Sequence, residues 1–186
     1  MQKKLMVNIK KNKIFKNIYE LDIRFSKKKN SEIYKENFIF NGKSVSAICY
    51  NRDLNVFYFI KQMRPNYFFH KFNNYPLEVV AGGINKNESN KKAIIREIKE
   101  ELGVEAISVK KIDSLIIAPD CLEEITDLYF AEVPIIHKFE IINPMEGEFI
   151  KIIKLSKKEI KELLSKKKPQ NIVTKIAFLK ILETKI

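Results

Sequence analysis

The stretch "AGGINKNESNKKAIIREIKEELGV", residues 81–104, constrains this chain more than any other. It joins a glycine pair, an acidic run at helical spacing and a glycine stop. On a wheel of about 100° per residue, Ile94, Ile95, Ile98 and Leu102 share one arc, a core face. Lys92, Arg96 and Lys99 take a second arc. Glu97, Glu100 and Glu101 take a third, with only the small Ala93 among them. Glu97 and Glu101 stand at i, i+4, where like charges destabilise a helix. A hard divalent cation offsets that repulsion, because Mg²⁺ takes one or two carboxylates and shares its other positions with water and phosphate oxygens. Gly103 ends the helix as a C-cap. Gly82 and Gly83 permit a tight backbone turn ahead of it, which leaves a carbonyl to face a metal. Periodicity alone also fits a solvated helix that is acidic on one flank.

The rest of the composition narrows the class. With 186 residues, 45% hydrophobic and 31% charged, the chain has the make-up of a globular protein with a sizeable core. No apolar run approaches the roughly 20 residues that span a bilayer, and the lysine-bearing start "MQKKLMVNIKKNKIFK" has no apolar core of signal-peptide length. Cys49 and Cys121 make no disulfide framework, so the expectation is a reduced, cytoplasmic setting. A net charge of +12 raises the question of nucleic acid. The lysines are scattered and arginine is scarce, which argues against it; small anionic substrates are drawn to the same surface.

Along the chain, "KIFKNIYELDIRF", "ENFIF", "SVSAICY" and "NVFYFIKQM" read as strands. The Asn-Gly of "FNGKS" predicts a hairpin between two of them. "RPNYFFHKFNNYP" reads as a loop and "LEVVAGG" as a short strand. "DSLIIAP", "ITDLYFAEV" and "GEFIKIIKL" are further strands. Ser156 and Glu159 form a capping box ahead of one helix, and "NIVTKIAFLKILE" is a final helix. Strands first, then strands mixed with helices, indicate α+β.

The wider spacing decides between the readings of the acidic helix. Gly82, then Glu88, then Arg96, Glu97, Ile98, Glu100, Glu101, Leu102, Gly103 and Val104 match the pattern G-x5-E-x7-R-E-U-x-E-E-x-G-U, with U aliphatic. The sequence resembles a Nudix hydrolase. That resemblance implies an α/β/α sandwich and hydrolysis of a nucleoside diphosphate linked to another moiety, with Mg²⁺ as the cofactor and Mn²⁺ as its substitute. By position it implies Glu97, Glu100 and Glu101 as metal carboxylates and the Ala81 carbonyl as a further ligand. Gly82, Glu88, Arg96 and Gly103 fall to the structural part of the box.

The flanks resemble the branch that acts on ADP-ribose and nucleotide-sugars. Gln62 and Arg64 match its QxR strand end, where the arginine meets a phosphate, and Glu78 also fits. The segment 1–42 resembles the small antiparallel β domain through which such enzymes form homodimers, leaving 43–186 as the Nudix domain. "APDCLEE" aligns with a substrate loop in which Pro119 and Glu124 match, while Ala118 and Asp120 depart. Glu124 touches substrate or metal, or is a plain loop acid; Cys121 beside it reads as a space-filler. "NPMEGEF" aligns with the loop that supplies the base, so Glu146 is the expected base, Glu148 a metal ligand through water, and Glu124 the competing base. Glu146, Glu101 and Glu124 make the expected catalytic set. The expected reaction is ADP-ribose to AMP and ribose 5-phosphate. GDP-mannose or UDP-glucose cleavage is the alternative, and a non-catalytic nucleotide- or RNA-binding Nudix module is the rival of another class.

Overall fold

The computed structural model describes residues 8–24, 33–72, 75–143, 148–166, 168 and 170–184. In chain order the elements are β1 (Asn8–Phe15), β2 (Ile18–Arg24), β3 (Tyr34–Asn51), β4 (Val56–Lys61), α1 (Pro65–Phe69), β5 (Leu77–Glu78), β6 (Val80–Gly83), α2 (Asn90–Leu102), β7 (Ser108–Ile116), β8 (Leu122–Glu132), β9 (Glu140–Asn143), β10 (Glu148–Leu155), α3 (Lys157–Ser165) and α4 (Ile172–Glu183). The chain divides into two compact units: Met1–Lys43 with Ile116–Ile125, and Ser44–Leu115 with Thr126–Ile186.

In the first unit β1 and β2 form an antiparallel hairpin, turned at Lys16 with φ 45°. The sequence reading ran one strand through this turn. β2 then pairs with the first half of β3, from Ile18↔Ile39 to Ile23↔Tyr34. The Ile39 amide donates to the Cys121 carbonyl at 2.9 Å, which ties in the second piece of the unit. Tyr19 and Phe40 meet edge to face at 5.0 Å, and the Lys11 ammonium lies over both rings. Leu21 is the single buried apolar residue among the described ones of this unit, while Ile9, Ile14, Phe15, Tyr34 and Ile39 stay exposed.

The Asn41-Gly42 hairpin is a misreading. β3 runs unbroken through it for 18 residues, and Gly42 sits inside the strand at φ 81°. A Cβ on Gly42 would meet nothing within 4 Å, so the glycine is needed for its left-handed backbone and not for room. Partner exchange overrides the local turn signal: β2 pairs with β3 before this point and β6 pairs with it afterwards, from Ser44↔Gly83 to Ala47↔Val80.

The second unit is an α/β/α sandwich, and strand alternation builds it. On β3, Val45, Ala47 and Cys49 face one side; on β4, Tyr58 and Ile60; on β10, Ile150 and Ile152. Ala93, Ile94, Ile98 and Leu102 of α2 close that layer. The residues between them on the same strands, Ile48, Tyr50, Phe57, Phe59 and Leu155, face the other side, where Ile160 of α3 and Ala177, Phe178 and Ile181 of α4 cover them. Phe59 and Phe178 stack edge to face at 5.1 Å. These strands are buried on both faces, which explains their near-continuous apolar sequence. The α3 capping box forms as expected, with Ser156 and Glu159 exchanging both bonds. The loop reading of "RPNYFFHKF" missed the short helix α1.

Candidate metal centre

Helix α2 starts where Ser89 caps it, its hydroxyl accepting from the Lys92 amide, and stops at Gly103, whose φ of 70° brings its amide to the Lys99 carbonyl. Between these caps two of the three carboxylates of the acidic arc are turned from water, while Glu100 stays exposed. Glu97 is 9% exposed and Glu101 5%, because α2 lies against β6. The Ala81 amide donates to Glu101 Oε2 at 3.1 Å. Gly82 lies so close to Glu97 that a Cβ there would run into the carboxylate. Neither Gly82 nor Gly83 has a positive φ, so they do not make the expected tight turn; Asn87, at φ 65°, takes the left-handed conformation in that loop instead. The role of Gly82 is close approach. Gly82→Ala is expected to push the Glu97 carboxylate off its Arg96 bond and to destabilise the fold by about 1–3 kcal/mol, whereas Gly83→Ala, with open space around it, is expected to be near neutral. Urea unfolding of the two variants checks this.

Arg96 organises the carboxylates. Its Nε and Nη2 donate to the two oxygens of Glu88, both at 3.0 Å. Nη1 donates to Glu97 at 2.7 Å and to Glu100 at 2.8 Å, and Nη2 also donates to the Gly83 carbonyl at 2.9 Å. Glu88 in turn accepts from the Asn85 amide at 3.0 Å. This fork pins the 84–89 loop to the helix, a geometry that lysine lacks. The Arg96 guanidinium and then the Asn85 amide hold the Glu88 carboxyl below the usual carboxylate range, and Arg96 itself is pushed further up, chiefly by Glu88.

The donor set suits a hard divalent cation. Glu88, Glu97 and Glu100 share the guanidinium of Arg96, Glu101 lies on the same helix one residue beyond Glu100, and Glu97 and Glu101 are buried, where negative charge is costly to hold. As the side chains stand, Arg96 engages Glu97 and Glu100, and no three acidic, histidine or cysteine side chains converge as a ready ligand set among the described residues. Buried Cys49 is no nucleophile: burial, then the Glu101 charge, push its thiol up.

The other expected site residues fall elsewhere. Arg64 donates twice to Glu78 Oε2, at 2.9 and 2.7 Å, and Gln62 donates to the same oxygen at 3.3 Å. Asn171, the cap of α4, donates to the other Glu78 oxygen at 3.4 Å. Arg64 and Glu78 line a cavity of about 590 Å³ with Tyr67, His70 and Asn171, and no residue of α2 lines it. Glu124 lies inside strand β8 in the first unit, not in a loop, and accepts from Asn41 at 3.0 Å. Cys121 is exposed, so it fills no interior space. Glu148 opens β10 opposite Asn143. Glu146 lies outside the described residues.

One buried carboxylate went unnoticed in the sequence. Asp127 on β8 accepts from Asn90, Ser114 and Lys111, each at 2.7 Å. Burial pushes its pKa up, but those three partners together outweigh burial and leave it below the usual value. A depressed folded pKa adds stability that is present above about pH 4 and is lost as pH falls through the lowered value. Asp127→Asn is expected to cost about 1–3 kcal/mol at pH 7 and to reduce the loss of stability on acidification. Urea midpoints for both proteins at neutral and acid pH test it.

An α/β/α sandwich whose carboxylate-bearing helix docks on a glycine of the short strand β6 is the class of fold and site seen here. The NUDIX domain family matches residues 41–170, most of the chain, and the chain belongs to the Nudix hydrolase family. Members of that family generally use a divalent metal ion. By sequence, no curated protein matches. In structure the chain is similar to one described as "Crystal structure of ADP compounds hydrolase", with a TM-score of 0.70, 18% identity, and coverage of 97% of this chain and 92% of the other. That likeness is one of fold.

Proposed function

We propose that this chain is a Mg²⁺-dependent pyrophosphatase that cleaves ADP-ribose to AMP and ribose 5-phosphate. The observation that carries the hydrolytic reading is the burial of Glu97 and Glu101 against Ala81 and Gly82, with Arg96 bracing the helix to its loop. In this reading Glu97, Glu100, Glu101 and the Ala81 carbonyl hold the ion, and Glu148 joins them through water. When bound there, a divalent ion would supply charge neutralisation at the diphosphate and a more acidic water. The chain's own part is to fix those oxygens on rigid elements and to take the proton from the water at Glu146. The branch rests on Gln62, Arg64 and Glu78, and on the likeness to an ADP compounds hydrolase. In this reading Arg64, half-exposed and held by Glu78 through its Nε and Nη2, is the residue that meets a phosphate.

A substrate panel with purified protein and Mg²⁺, read by phosphate release after phosphatase coupling, tests this reading. ADP-ribose is expected to head the panel. A clear preference for GDP-mannose or UDP-glucose moves the enzyme to a neighbouring substrate, and no turnover of any member at all leaves a non-catalytic module.

The same reading makes the protein a cytoplasmic homodimer joined through residues 1–42. Its support is the exposed apolar set Ile9, Ile14, Phe15, Tyr34 and Ile39 over a core of Leu21. Sedimentation at micromolar concentration is expected to show a dimer, and deletion of residues 1–42 to abolish it. A monomeric wild type refutes the arrangement.

A further inference from the structure

A second cavity lies on the side of the sandwich away from α2. It has a volume of about 650 Å³, within the range of small-molecule sites. Its floor includes Leu77, Leu155 and Leu163, which belong to the layer covered by α3 and α4, so the cavity does not share a face with the metal centre. Three rings, Tyr67, Phe72 and Tyr75, line it, and Phe72 and Tyr75 remain 40% and 47% exposed. Tyr67 and Phe72 are shared with the adjoining Arg64–Glu78 cavity, whereas Tyr75 and the lysines belong to this one alone. Four lysines, Lys61, Lys71, Lys166 and Lys168, also line it, with no acidic residue in the lining. None of the four forms an ion pair among the described residues.

Lysines are abundant in this chain, so their number alone says little. Their combination with exposed rings inside one hollow says more. Four like charges around an apolar hollow repel one another and favour an anion. Exposed rings offer stacking faces to a flat heterocycle, and lysine ammoniums bind phosphate as point charges. A bilayer fits this less well, because it meets rings that project from a convex face, whereas these rings line a concavity. From this we propose that the cavity bounded by α1, β10 and α3 is a second nucleotide site, non-catalytic and separate from the carboxylate helix, which takes a mononucleotide with its base on Tyr67, Phe72 and Tyr75 and its phosphate on the lysines.

Photolabelling of the full chain with azido-AMP in EDTA, followed by peptide mapping, tests the proposal independently of hydrolysis. Label is expected on peptides from residues 65–77 and 161–172. The double variant Lys166→Glu/Lys168→Glu is expected to take up about ten-fold less label there, the equivalent of about 1.4 kcal/mol of binding. Its turnover on the substrate found by the panel, without added nucleotide, should stay within about two-fold of wild type. Tyr75→Ala, which removes a stacking face and leaves every charge in place, should also lower the labelling. Label confined to peptides from 81–104, or unchanged labelling in both variants, overturns the proposal. So does binding of oligouridine in clear preference to AMP, which makes the groove a single-stranded nucleic acid site, or co-sedimentation with phosphatidylglycerol vesicles, which makes it a membrane contact.

Discussion

Glu101→Gln is expected to lower turnover by about 10²–10³-fold or more while leaving the fold intact. The size follows from the several kcal/mol of charge stabilisation that a catalytic metal supplies, at 1.36 kcal/mol per decade of rate. The fold survives because glutamine keeps an oxygen to accept from the Ala81 amide, the bond that seats Glu101 on β6. It loses the charge and exchanges one acceptor oxygen for an amide donor. Glu97→Gln should behave alike in rate, but its wild-type oxygen also accepts from Arg96, so a small loss of stability accompanies it. Steady-state rates with a Mg²⁺ titration, alongside thermal unfolding, separate the two effects. Full activity in EDTA, or an unimpaired Glu101→Gln enzyme, would sink the metal reading altogether.

Replacing the base is expected to give the second large effect. Glu146→Gln keeps the shape of the side chain and removes the proton acceptor, so turnover should fall by roughly 10²–10⁴-fold with substrate and metal affinity little changed. Glu148→Gln should instead move the metal-dependence curve to higher Mg²⁺. Glu124 is the competitor, and its bond from Asn41 gives its replacement a structural component in the first unit. The three glutamine variants at saturating Mg²⁺ distinguish the roles. A Glu146→Gln enzyme within a few-fold of wild type beside a dead Glu124→Gln enzyme transfers the base to Glu124.

The parts of this molecule that were legible in its sequence are those written locally. Helix α2 announces itself by its periodicity, by Gly103 and by the fixed spacing from Gly82 to Val104, all within one short stretch. The α3 capping box likewise lies within four residues. Apart from the turn at Lys16 and the short helix α1, which are local, what was misread depends on distant partners. Asn41-Gly42 carries a strong turn signal, yet the exchange of β2 for β6 along β3 keeps the chain extended there. Gly82 is a glycine because of Glu97, a residue on another element, and a wheel drawn for α2 alone places Glu97 and Glu101 outside the core stripe. Asp127 is satisfied by Asn90, Lys111 and Ser114, and Glu78 by Asn171, which lies 93 residues on. No local pattern encodes such pairs.

The first unit is assembled from two separate pieces of chain, Met1–Lys43 and Ile116–Ile125. The polypeptide therefore passes between units three times, at 43–44, 115–116 and 125–126. Such a unit is not a bead threaded on the end of the chain. A protease that nicks the chain at the first passage leaves both fragments still bearing part of it, and the Ile39–Cys121 backbone bond then joins two polypeptides. A gene fusion that exchanges the N-terminal segment alone would bring in strands whose second piece stays behind with the recipient. Any exchange of this unit between relatives has to move both segments together, which ties the evolution of the N-terminal strands to that of the 116–125 segment, more than 70 residues downstream in the same chain.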